Sequence, residues 1–151
     1  MDTNDNMRDA TIFTRLKEKI HTLKESADFY DEARMSVWKE SEKSIFSKFL
    51  SMPIWRYNDL LYDKYKNLIP FWRNTLGEET AMKAVKLLVL YSWYSAGTSL
   101  LSLIYKRTML GDSNGIEDLY ARYYKPNASG SEMRKAGKDI KAELGIGIRR
   151  Y

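Results

Sequence analysis

The chain has 151 residues, a length that fits one domain folding around a single core. Its 44% hydrophobic and 30% charged residues exclude a disordered or multi-span membrane chain, and the absence of cysteine excludes a disulfide framework, an iron–sulfur cluster and a thiolate zinc site. The formal charge of +5 is uneven: residues 125–151 hold seven basic residues against three acidic ones, a balance that suits nucleic acid or acidic surfaces as partners.

The opening residues MDTNDNMRDATIF are acidic and polar where an export signal needs a basic and then an apolar segment, so the expected compartment is the cytoplasm. From residue 7 to residue 50 no Gly or Pro interrupts the chain, and apolar positions recur at three- and four-residue steps. Phe13, Leu16, Ile20, Leu23, Ala27, Tyr30 and Val37 fall on heptad a and d positions, with Arg34 as the one intruder. This predicts one long helix, or a helix broken near its middle. Its seam either packs inside the protein's own bundle or forms an exposed dimerisation strip, and it decays after Val37.

Ser51 and Pro53 mark a restart, with Ser51 as N-cap. Ile54, Tyr57, Leu61, Tyr65, Leu68 and Trp72 form the stripe of a second helix, which Pro70 kinks or ends and after which Gly77 stops the chain. A third helix is expected from about Glu78 to Leu110, with Gly111 as its cap and DSNG at 112–115 as a turn. A short helix over about 116–124 follows. Ser129 and Glu132 then spell a capping box for a last helix over about 131–143, which carries few large apolar residues and ends before the tail GIGIRRY.

Within the third helix, LLVLYSWYSAGTSLLSLIY at 87–105 is uncharged and just long enough to cross a bilayer. Its aromatic and small polar residues lie near the middle, however, where a span prefers aliphatic ones. Leu90, Trp93, Gly97, Leu100, Leu101 and Ile104 share one side, while Ser92, Ser95, Ser99 and Ser102 share the other. The segment therefore reads as a central bundle helix with Leu90, Trp93 and Leu101 deeply buried, and a membrane setting is disfavoured.

Catalytic constellations are scarce. His21 is the single histidine, so paired-His metal sites and HExxH chemistry lack support, and no nucleophile is marked by a motif. Asp28 with Asp31 or Glu32, and Asp59 with Asp63, sit beside lysines and read as solvated ion pairs. No catalytic, cofactor or metal residue is assigned, and an enzyme is not expected. The candidate contact residues are the basic and aromatic ones near the C-terminus: Arg122, Tyr124, Lys125, Arg134, Lys138, Lys141, Arg149, Arg150 and Tyr151. Such residues can neutralise phosphates and stack on bases.

The expected architecture is all-α: one domain, a bundle of about four to five helices with a long N-terminal helix and a lightly packed C-terminal helix and tail. Residues 1–6 read as a flexible N-terminus, 7–125 as the main bundle and 126–151 as the basic C-terminal part. The leading expectation for function is a non-catalytic helical interaction protein (adaptor, assembly subunit or inhibitor) that binds another protein or a second copy of itself. The alternatives are a nucleic-acid-associated coat or packaging subunit using the basic C-terminal region, and a membrane-associated protein with 87–105 as a single span.

Overall fold

The computed structural model describes residues 3–41, 61–92 and 96–148, and every one of its regular elements is helical. Helix α1 (Thr3–Glu40) runs unbroken for 38 residues, roughly 57 Å at the α-helical rise. Helical residues 61–65 pass through a 3-10 turn (Lys66–Leu68) into α2 (Ile69–Leu76). Pro70 stands in the first turn of α2, where its missing N–H costs no helical bond, so the expected kink takes the form of that 3-10 turn. Gly77, at φ 87°, separates α2 from α3 (Glu78–Tyr91) in a conformation that side-chain-bearing residues avoid. The expected restart at Ser51 and Pro53, the stripe residues Ile54 and Tyr57, and Trp93 and Ser95 lie outside the described residues.

Every residue of α3 from Ala84 to Tyr91 is buried. A helix apolar around its whole circumference needs neighbours on all sides, and α3 packs against α1, α2, α4 (Gly97–Met109) and α5 (Ser113–Tyr123). Each fully buried Leu or Val contributes about 1.5–3 kcal/mol. Lys86 is the exception to this apolar wall. Its Nζ lies 2.7 Å from Glu40 Oε1 and 4.9 Å from the centroid of the Tyr124 ring, so the charge enters the interior already paired. Glu40 also accepts the Tyr124 hydroxyl, and its backbone carbonyl accepts Asn127 Nδ2 at 3.2 Å, which ties the end of α1 to the segment after α5.

The expected continuous helix over 78–110 is two helices. The first ends at Tyr91 with Ser92 as its C-cap, and the second starts at Gly97. A Cβ at Gly97 would lie 3.2 Å from both Leu61 Cδ2 and the Tyr91 carbonyl oxygen, so a side chain there would have to push these neighbours back by a few tenths of an ångström. Leu90 is buried as expected, whereas Leu101 is half-buried because its side chain comes off the second helix and meets only the edge of the core. Ser92 and Ser99 are half-buried and Ser102 is exposed. No helix among the described residues is long and apolar enough to cross a membrane.

Gly111, at φ 66°, closes α4 in a Schellman arrangement: its N–H reaches Thr108 O at 2.9 Å and the Asp112 N–H reaches Arg107 O at 2.9 Å. Asp112 then caps α5, accepting the Gly115 N–H at 2.8 Å, so the expected DSNG turn is a helix start. Before α6 (Gly130–Ile148) the capping box is reciprocal: the Glu132 N–H reaches Ser129 Oγ at 3.2 Å, and the Ser129 N–H reaches Glu132 Oε1 at 3.4 Å. Helix α6 continues through Gly145 and Gly147, beyond its expected end, with Leu144 packed against the core. It docks along a narrow face of Met133, Gly137 and Ile140, and a Cβ at Gly137 would meet the Ala96 methyl at 3.3 Å.

A Cβ at position 115 would lie 2.2 Å from Asp112 Oδ2. Gly115→Ala is therefore expected to displace the Asp112 cap and cost about 1–2 kcal/mol, lowering Tm by roughly 2–8 °C in a thermal melt. Gly130→Ala, where the nearest atom to the new methyl is Arg134 Nη1 at 3.7 Å, leaves Tm unchanged or raises it.

Candidate protein-interaction surface on the first helix

The heptad seam of α1 has two fates. From Ser26 onward it meets the bundle: the seam residues Tyr30 and Val37 are buried together with Ser26, Phe29 and Ala33 beside them, Ala27 and Arg34 are half-buried, and Tyr30 stacks on Tyr62 at 4.2 Å between ring centroids. Arg73 marks the boundary, lying over the Phe29 ring at 5.0 Å and reaching Glu25 at 3.9 Å. On the N-terminal side, all residues from Ala10 to Glu25 are exposed. Ile12, Phe13, Leu16, Ile20 and Leu23 keep 41–66% of their surface in solvent although they continue the same apolar register. The seam therefore packs inside the bundle in its C-terminal half and is exposed in its N-terminal half.

Large apolar side chains scattered singly on a surface are ordinary, but five in register on one helical strip form a contiguous patch of the kind that marks an interaction site. With Phe13 and Ile20 at a and Leu16 and Leu23 at d, Lys17 and Lys24 take e and Lys19 takes g, directly beside the strip. Glu18 and Glu25 take f, on the opposite side of the helix. Lys17 Nζ lies over the Phe13 ring at 4.8 Å, and Lys17, Lys19 and Lys24 form no ion pair among the described residues. His21 pairs with Glu25 at 2.8 Å, both exposed, as a surface histidine.

The described C-terminal candidates have different surroundings. Arg122 bonds Asp118 at 2.7 Å and Glu143 at 3.2 Å, and Glu143 also accepts Arg107 at 3.0 Å and the Tyr123 hydroxyl at 3.0 Å. Its charge is thus spent inside the fold. Tyr124 stacks on Tyr120 at 4.5 Å between centroids and gives its hydroxyl to Glu40. Burial, and then the bond to Glu40, push the Tyr124 phenol far up from its ordinary value; burial and Glu143 raise that of Tyr123. Lys125, Arg134, Lys138 and Lys141 are exposed, the last three on one side of α6. Arg149, Arg150 and Tyr151 lie outside the described residues.

A cleft of about 230 Å³ between α5 and α6, floored by Tyr91 and Tyr123 and rimmed by Arg122, Lys135, Glu132 and Asp139, mixes both signs of charge without a nucleophile–base pair. No group of three His, Asp or Glu side chains among the described residues could hold a metal ion. The strip was missing from the candidate contact residues because periodicity records which residues share a face, not whether the fold covers that face.

Val37→Ala should therefore cost about 2 kcal/mol, whereas Ile20→Ser should change stability by no more than about 0.5 kcal/mol in denaturant unfolding. The Tyr124 phenol stays neutral in the fold but ionises near pH 10 once unfolded. Its contribution is whole below that value and is lost as pH rises through the higher folded value. In alkaline unfolding, Tyr124→Phe should narrow the loss of stability above about pH 10 relative to the parent chain.

Set against protein-family models, curated proteins and solved structures, the chain matches none.

Proposed function

We propose that the chain is a non-catalytic helical interaction protein, an adaptor or assembly subunit acting in the cytoplasm. In this reading the bundle is the folded base, and the N-terminal part of α1, roughly 24 Å of helix over residues 10–25, is the arm that engages a partner. The observation that carries it is the exposed register of Ile12, Phe13, Leu16, Ile20 and Leu23 continuing a seam whose other half is core. Covering five such side chains supplies the apolar burial that drives association, and an amphipathic helix presenting i, i+3, i+4 and i+7 anchors is a recurring recognition mode.

A second reading keeps nucleic acid as partner, favoured by the exposed Arg134, Lys138 and Lys141 on one side of α6. Arg122 is engaged within the fold, which leaves that surface the weaker candidate.

Capture from native extract separates the two. The parent chain should retain a protein partner after nuclease treatment, and the paired variant Leu16→Glu with Ile20→Glu should lose it while keeping the parent's circular dichroism and Tm. Retention that disappears with nuclease, or that the paired variant leaves intact, contradicts an apolar docking arm.

A further inference from the structure

The lysines beside the strip select its occupant. At 100° per residue, the a and d residues Phe13, Leu16, Ile20 and Leu23 span an arc of roughly 80°, the width of a coiled-coil seam rather than of the broader face of an interfacial helix. Lys19 borders that arc on one side and Lys17 and Lys24 border it on the other, while Glu18 and Glu25 point away. A helix laid along the seam brings its own e and g residues against these lysines.

A second copy of this chain fits that geometry poorly. A parallel pair sets Lys19 against Lys24 of the other copy, because g meets e five residues on. An antiparallel pair in the register that buries all four apolar residues sets Lys17 against Lys17 and Lys19 against Lys19. Both orientations place like charges face to face, the arrangement that excludes wrong partners. A bilayer also fits poorly, since an interfacial helix presents a broader apolar face than this narrow seam.

We infer that the N-terminal arm of α1 docks an amphipathic helix of another protein that carries apolar residues at a and d and Asp or Glu on both flanks at e and g. This rests on the proposed role of the arm as a docking element and adds the chemistry of what docks. Apolar contacts provide the affinity; the lysines choose the partner and its register and speed the encounter.

The test uses the full chain and two synthetic helices of about three heptads with identical Leu and Ile seams, one with Glu and one with Lys at every e and g position, and titrates each by calorimetry at low and high salt. The Glu helix should bind at least about ten-fold more tightly than the Lys helix, with the gap shrinking as salt screens the flanks. Lys17→Glu combined with Lys24→Glu should reverse the preference while leaving the fold intact. Equal binding of both helices overturns the acidic-partner inference but leaves the docking arm standing, whereas loss of native capture in the Leu16→Glu, Ile20→Glu variant is what decides the arm itself. Binding of neither helix also overturns the inference. So does self-association in sedimentation that the Leu16→Glu, Ile20→Glu variant abolishes, or a preference for phosphatidylserine-containing vesicles over the Glu helix.

Discussion

Helix α3 has no face to give to water. Eight consecutive residues, Ala84 to Tyr91, are buried, so the rest of the chain must supply a wall on every side of them. That requirement explains the order of the fold. The C-terminal part of α1 covers one side, α2 folds back on another, and the corner at Gly97 returns α4 alongside. The single charge in the wall, Lys86, is tolerable because Glu40 meets it at 2.7 Å and because Tyr120 and Tyr124 roof it. Removing Glu40 alone would leave that ammonium buried without a counterion, a far greater cost than losing an exposed pair.

The same requirement limits how much of α1 the bundle can hold. Among the described residues α1 packs mainly against α3, the 3-10 turn and α2, and its buried residues begin at Ser26. Toward the N-terminus the helix continues unbroken, with no glycine or proline to stop it and with apolar residues at heptad spacing, but residues 10–25 are exposed. Isolated helices of that length are marginal in water. The arm gains order from the anchored half to which it is continuous, and a strip held in helical form beforehand loses less entropy on binding than one that must fold first. The base of the bundle is therefore tied to the presentation of the strip through Tyr30, Phe29 and Arg73, none of which belongs to the strip itself.

Much of the fold was legible in the sequence because its signals are local. The capping box at Ser129, the left-handed glycine at 111 and the unbroken run of α1 all follow from backbone chemistry within a few residues. The division of 78–110 into two helices was hidden, because Ser, Gly and Thr in the middle of an apolar run weaken a helix without fixing where it turns. The turn depends on Leu61 meeting Gly97 from far along the chain. The engagement of Arg122 within the fold was hidden for a similar reason. Glu143, one helix away, gathers Arg107, Arg122 and Tyr123, and no spacing rule pairs residues across helices. The strip itself was legible as a register, but its exposure was not.

The central claim is that one continuous seam changes from core to uncovered surface near Ser26. A chain without cysteine lends itself to a direct measurement: alkylation rates of single-cysteine variants Leu16→Cys, Ile20→Cys and Val37→Cys in the isolated protein. The first two should react at the rate of the denatured chain, and Val37→Cys should be protected to the extent that global unfolding allows. Protection at Leu16→Cys and Ile20→Cys equal to that at Val37→Cys would mean that the chain covers its own strip, and would contradict the account.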